Sequence, residues 1–168
     1  MAKLIMLRGN SGSGKTTVAK ALQEKIGPNT MLISHDMVRM QMLHVWGALG
    51  IEKSLPLMIQ LVKYGHAHSE VTILEGILAS DDYAPLFDAC VALYGDDIFA
   101  YYYDLSFEET VRRHATKPNR DDFGTADMRR WWRGKDCLEQ VQETILNQDV
   151  TLKEAVESIY RNVMGKDQ

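Results

Sequence analysis

The stretch Gly9-Asn10-Ser11-Gly12-Ser13-Gly14-Lys15-Thr16 carries the plainest chemistry in this chain. It matches G-x-x-x-x-G-K-[ST], whose glycines let the backbone curl so that successive N–H groups point inward at phosphate oxygens. In that geometry Lys15 reaches the β- and γ-phosphates of a nucleoside triphosphate, and the Thr16 hydroxyl ligates Mg²⁺. A helix starting here adds the positive end of its dipole to the same field. Gly9, Asn10, Ser11, Gly12, Ser13, Gly14, Lys15, Thr16 and the adjoining Thr17 are therefore the expected nucleotide-binding residues, together with Arg120 from the basic segment further along.

A second constellation is Ser34-His35-Asp36-Met37-Val38-Arg39. Asp36 and Arg39 are three apart and share a face if a helix begins here. An aspartate so placed accepts or orients the proton of an acceptor hydroxyl, and the arginine holds an anionic group or the transferring phosphoryl. The competing reading is that Asp36 only favours the helix dipole and Arg39 is solvated. Glu75, near the end of the apolar run Val71-Thr72-Ile73-Leu74-Glu75-Gly76, is placed to bind Mg²⁺ through water or to hold the acceptor. A lone acid at a strand end also serves structure. His35 has no evident partner and is expected to face solvent, and His66 and His68 lack companions for a metal site. Met37, Met40, Met42, Leu43, Val45 and Trp46 crowd the stretch after Asp36 and read as core packing or as an adaptable pocket wall.

The net charge of −4 is unevenly spread: residues 112–135 hold eight of the 19 Lys and Arg residues and only three acids, and the rest of the chain is acidic. A general polyanion binder is basic throughout, so this confinement points to a small or local anion. Within 127–134, Met128, Trp131 and Trp132 fall on one helical face and Arg129, Arg130 and Arg133 on the other. These arginines read either as a solvated face or as a closing lid that neutralises transition-state charge, with Arg120, Arg129, Arg130 and Arg133 as candidates. Asp122-Phe123-Gly124 spells a protein-kinase metal motif by coincidence, because no H-R-D catalytic loop accompanies it.

These residues need a frame. Short apolar runs at 3–8, 30–34, 71–74, 98–103 and 144–146 read as strands. Helical stretches are read at 16–26, 35–49, 55–69, 83–94, 107–115, 127–134 and 152–163. Alternating strands and helices imply right-handed βαβ units: an α/β, three-layer fold with a five-stranded parallel sheet, helices on both faces and an Arg-rich lid. The length of 168 residues suits one domain, 1–168, with the lid inserted at about 116–136. Hydrophobic residues at 45% and charged residues at 25% exclude a disordered chain, a collagen-like chain and a disulfide scaffold. No run approaches the ~18 apolar residues of a membrane span. Met1-Ala2-Lys3-Leu4 leads straight into an apolar run with no cleavage site, so no signal peptide is read. Cys90 and Cys137, widely spaced, read as buried filler in a reduced, cytoplasmic protein.

On the phosphate loop, the Asp36-x-x-Arg39 pair, Glu75 and the basic segment, the chain resembles the small P-loop kinases. It is most similar to the group of bacteriophage-type polynucleotide 5′-kinases, chloramphenicol phosphotransferase and zeta toxins. Asp36 and Arg39 match the Asp-x-x-Arg that polynucleotide kinases carry after the second strand, with the aspartate as base. Tyr103-Asp104-Leu105-Ser106-Phe107-Glu108-Glu109-Thr110-Val111-Arg112-Arg113 is similar to their strand–Asp–helix passage into a lid, whose helix arginine would fall on Arg129 or Arg130. Glu75 is similar to the substrate-side acid of zeta-type kinases, and Asn147-Gln148 would lie near adenine. The resemblance implies a kinase with ATP and Mg²⁺ as cofactors, phosphorylating a hydroxyl of a small molecule, nucleoside or nucleotide. Two alternatives stay open: a polynucleotide 5′-hydroxyl kinase gripping a nucleic-acid end, and a nucleotide-sensing partner protein with slow ATPase activity. A GTPase switch is disfavoured because the chain has no Asn-Lys-x-Asp. No membrane partner is expected, and no oligomeric state is read.

Overall fold

In the computed structural model, which describes residues 1–165, five parallel strands form one sheet in the order β2-β3-β1-β4-β5. β1 (Lys3–Gly9) is buried along its whole length, because it is the central strand and both its faces are covered. β3 (Val71–Gly76) pairs on one side of β1 and β4 (Ile98–Tyr103) on the other, with β2 (Thr30–Ser34) and β5 (Glu143–Leu146) at the edges. The alternation of side chains along β1 divides the core into two layers. Ile5 and Leu7 pack with Val18, Leu22, Ile73, Tyr101 and Ile159 under α1 (Lys15–Ile26) and α6 (Leu152–Met164). Leu4 and Met6 pack with Met58, Val62, Leu74, Leu86 and Phe87 under α2 (Gly47–His68) and α3 (Ala84–Tyr94). Three layers with helices on both faces were expected from the alternating pattern. The last three residues of the 1–168 span lie outside the described residues.

The strands match expectation closely; the connection after β2 does not. Instead of helices at 35–49 and 55–69, a π-helical segment spans Met37–Leu43 and one helix, α2, runs Gly47–His68 straight through Pro56. Pro56 removes one intrahelical hydrogen bond. Its position is exposed while Ser54, Met58 and Val62 bury the opposite face, so packing carries the helix past the break. The π-helical segment ends at His44 in the left-handed region, φ 56°, with the His44 N–H bonded to the Arg39 carbonyl. Met37, Met40, Met42 and Trp46 are exposed rather than core. α4 (Phe107–His114) is capped by Ser106, whose hydroxyl accepts from the Glu109 N–H. Beyond it the chain runs in turns, with a short α5 (Thr125–Trp131), until β5 begins. Cys90 is buried, but Cys137 lies exposed in the irregular stretch after α5, so the filler reading holds for one cysteine only. No helix among the described residues is long and apolar enough to cross a membrane.

Candidate functional site

The phosphate loop joins the carboxyl end of β1 to the start of α1, the place where parallel sheets leave a crevice. Gly12 and Gly14 sit at φ 83° and 98°, and a Cβ at Gly12 would stand 2.5 Å from the Thr110 carbonyl oxygen. Glycine is thus required both for the curl and for close packing on α4. Gly14 caps α1 without any side-chain hydrogen bond, leaving the helix's first N–H groups to the loop. Lys15 is buried and its Nζ donates to the Asn10 carbonyl at 2.8 Å; the Ser13 hydroxyl donates to the same oxygen. Burial pushes Lys15 down to about 8, against the opposing pull of Glu75 and Asp36. Asn10 turns its amide away from the loop: Nδ2 donates to the Arg133 carbonyl at 2.7 Å and Oδ1 accepts from the Arg133 N–H at 2.9 Å.

Glu75 is held between β1 and β2, in register with Leu7 on one side and Ser34 on the other. Its Oε1 accepts from the Thr16 hydroxyl at 3.0 Å. The residue is 3% exposed, a carboxylate drawn into the sheet and fixed on the loop threonine. This pairs a hydroxyl with a carboxylate, the hard oxygen donors that Mg²⁺ takes together with waters and substrate phosphates. Among the described residues no group of three or more His, Cys, Asp or Glu converges as a metal cage. Asp36 opens the π-helical segment with its carboxylate exposed, and Arg39 Nη2 lies 3.3 Å from Asp36 Oδ1. The Arg39 Nε is buried without a hydrogen-bond partner. His35 departs from expectation. It is buried, with Nε2 2.6 Å from the Tyr83 hydroxyl, and burial lowers it to about 4, so the ring is neutral.

The basic segment is arranged differently from its helical pattern. Met128 is buried, but Trp131 is exposed against the edge of Phe123, and Trp132 lies just past the end of α5 against Phe107. The Arg129 guanidinium stacks 3.6 Å over the Phe107 ring. Arg130 pairs with Asp127 at 2.6 Å, and Arg133 pairs with Asp81 at 3.0 Å. Arg120 is exposed, and its carbonyl accepts from His114 Nε2, which also donates to Phe123. The cations that reach the phosphate loop come from the start of the segment rather than from α5. Arg113 donates from Nη1 to the Ser13 carbonyl at 2.8 Å and from Nη2 to the Gln148 carbonyl at 3.3 Å. Lys117 is pushed down by burial while Glu75 and Asp36 pull it up, which sets its ammonium in the same field as Lys15. A cavity of about 520 Å³ opens beside the loop, lined by Gly14, Thr17, Tyr103, Arg113, Lys117 and Gln148 among others.

Residues 4–141 match the family model of the AAA domain. The chain belongs to the AAA domain family. No curated protein sequence matches it significantly. Solved structures similar to this AAA domain include several small kinases. The gluconokinase from Sinorhizobium meliloti 1021 superposes with a TM-score of 0.67 at 15% identity, covering 98% of this chain and 93% of that one. The Mycobacterium tuberculosis APS kinase, solved with AMPPNP and APS, gives 0.67 at 16%, covering 98% of each. The Acinetobacter baumannii shikimate kinase, in complex with shikimate, gives 0.65 at 17%, covering 99% and 95%. Likeness at these identities establishes the P-loop kinase fold. It does not single out the polynucleotide kinase, chloramphenicol phosphotransferase and zeta toxin group.

In this AAA domain the structure brings Lys15, Thr16 and Glu75 together, with Asp36 and Arg39 nearby at the π-helical segment. The side chains of Arg129, Arg130 and Arg133 are engaged elsewhere, and Arg120 is exposed. Sequence reasoning missed Lys117 and Arg8. Arg8 is fully buried at the end of β1, bound to Glu143 Oε1 at 2.7 Å and Asp136 Oδ2 at 3.0 Å, between the Phe87 and Tyr102 rings. An arginine closing an otherwise apolar run was the available signal for a buried, paired cation. Lys117 had none beyond its place one turn after α4.

Proposed function

We propose that this protein is an ATP- and Mg²⁺-dependent kinase that transfers the γ-phosphoryl group to a hydroxyl of a small molecule, nucleoside or nucleotide. The observation that carries the reading is the Thr16–Glu75 contact of 3.0 Å beside buried Lys15, in a field shared with Asp36 and Lys117. Loop amides and Lys15 hold the donor phosphates, and the cavity ending at Gln148 takes the base. Thr16 and Glu75 would hold Mg²⁺, which supplies charge neutralisation on the phosphates when bound. Asp36 accepts or orients the acceptor proton, and Arg39 steers the acceptor's polar groups. The segment at about 116–136 acts as the lid of one domain, with Arg113 and Lys117 at its base supplying the nearest positive charge.

The acceptor reading is tested by screening nucleosides, aminoglycosides, phenicols, sugars and oligonucleotides for acceptor-stimulated ADP release, with Lys15→Ala and Asp36→Asn alongside. Stimulation by one class, lost in both variants, is the expected result. Stimulation only by oligonucleotides, weakening steeply with salt, would assign the polynucleotide 5′-hydroxyl reaction instead. ADP release indifferent to every acceptor and to Asp36 would leave a nucleotide-sensing protein and overturn the kinase reading.

A further inference from the structure

His35, Tyr83 and Ser54 form a buried polar chain that the phosphoryl-transfer chemistry does not itself require. His35 Nε2 lies 2.6 Å from the Tyr83 hydroxyl, and that hydroxyl lies 2.9 Å from the Ser54 hydroxyl. The rings meet edge to face, with centroids 4.8 Å apart. Ser54 is 0% exposed, Tyr83 2% and His35 4%. Each belongs to a different element around the acceptor crevice. His35 follows the last residue of β2, Ser54 lies inside α2, and Tyr83 precedes α3. A fourth element is fitted onto the same ring. Gly76, directly after Glu75 at the end of β3, stands so close that a Cβ there would fall 2.4 Å from His35 Cβ. The chain therefore fixes the point from which Asp36 leaves β2 and the place of Glu75 one residue before the end of β3.

We infer that His35 is a positioning residue, one that sets the separation and aim of the Asp36 and Glu75 carboxylates through its bond to Tyr83. The inference rests on the kinase reading of these two acids. Packing alone does not call for this arrangement. An aliphatic side chain would fill the same space, whereas the histidine leaves its Nδ1 buried without a hydrogen-bond partner. A buried polar atom left unsatisfied is a cost that an apolar residue avoids, so the ring's use lies in what Nε2 holds. Burial keeps the ring uncharged beside Arg39, Asp36 and Lys15, so it fixes Asp36 by geometry and does not compete with Arg39 for its carboxylate.

The distinguishing variants are His35→Leu, which keeps bulk and loses the hydrogen bond, and His35→Gln, whose terminal nitrogen can still meet Tyr83. Tyr83→Phe removes the same bond from the other side. All three are assayed for ADP release with water and with nucleoside, sugar and phenicol probes, for binding of a fluorescent ATP analogue, and for thermal stability. His35→Leu and Tyr83→Phe are expected to bind the analogue within about twofold of wild type and to lose at least tenfold in acceptor-dependent kcat, with little change in ATP KM. His35→Gln is expected to recover turnover to within about threefold of wild type. If His35→Leu or Tyr83→Phe stays folded with full kcat, the positioning role is overturned and the trio is packing. If His35→Leu fails to fold, Tyr83→Phe and His35→Gln decide by the same criteria. If the wild type neither binds the analogue nor releases ADP with any probe, the kinase reading falls and takes this inference with it.

Discussion

Lys15 offers the sharpest quantitative test, because its burial leaves a proton to be counted. In the free protein its ammonium is enclosed by the loop, and burial brings it from 10.5 down to about 8. About half of the molecules are thus neutral at Lys15 at pH 8, against roughly a tenth at pH 7. Diphosphate oxygens drawn into the loop stabilise the ammonium and return it to full charge. Binding of ADP at pH 8 should therefore take up about 0.5 proton, and at pH 7 about 0.1. Isothermal titration in two buffers of different ionisation enthalpy, without divalent cation, measures that number directly. Affinity should fall about tenfold for each pH unit above 8, where only the charged minority is ready to bind. The same depression has a stability consequence of known sign. Between pH 8 and 10.5 the unfolded chain holds a proton at Lys15 that the folded chain lacks, so the free protein gains stability as pH rises through this window. Lys15→Met should then stabilise the free protein at pH 7, by on the order of 3 kcal/mol for the full shift. Tight ADP binding at pH 8 with no proton uptake, or a Lys15→Met protein no more stable than wild type, would refute the burial argument.

Three further outcomes follow from the geometry. Asp36→Asn keeps shape but removes the carboxylate, so acceptor-dependent kcat should drop about 10²–10⁴-fold while ATP affinity holds, as judged by steady-state kinetics and analogue binding. Alanine substitution at Lys117 or Arg113 should lower kcat by about 10²-fold, whereas Arg129→Ala and Arg130→Ala, bound to Phe107 and Asp127, should stay within a few fold; the reverse ranking would return the lid charge to α5. His35, neutral in the fold with a value near 4 against 6.5 unfolded, contributes stability that is complete above pH 6.5 and is lost as pH falls toward 4. Urea unfolding should accordingly show about 2 kcal/mol less stability at pH 5 than at pH 7, a difference that His35→Gln removes.

The parts of this molecule that were legible in sequence are those whose determinants are local or periodic. The phosphate loop is eight consecutive residues, and strands buried on both faces leave unbroken apolar runs such as Leu4 to Leu7. Glu75 could be placed at a strand end for the same reason, although its bond to Thr16 spans 59 residues and only the fold reveals it. His35 was misread because its partners lie 48 residues away at Tyr83 and, through that hydroxyl, at Ser54 in α2. Nothing near it in sequence marks it as buried. The helix pattern at 127–134 misled because α5 ends at Trp131, so Trp132 leaves the helical face it was assigned. The gap read between 49 and 55 is closed by the continuous buried face of α2, and the π-helical turn adds residues that a 3.6 period does not anticipate.

Charge counting over 112–135 treated the basic segment as one body, and the structure divides it. Its far end is fastened to the sheet and the loop. Asn10 holds both backbone groups of Arg133, Arg8 and Ser80 bind the Asp136 carboxylate, and Leu138 is buried in the second core layer. Its near end is fastened too, since Arg113 grips the Ser13 carbonyl. What lies between is held by buried Met128, the Arg129–Phe107 stack and the His114 hydrogen bonds to the Arg120 and Phe123 carbonyls. A closing motion of this segment would therefore hinge at the two fastenings, both of which touch the phosphate loop. The cations already at the fastened base, Arg113 and Lys117, need little movement to meet phosphate, whereas those of α5 must first leave their present partners. That difference in cost is the physical ground for ranking Lys117 and Arg113 above the arginines that the sequence pattern favours.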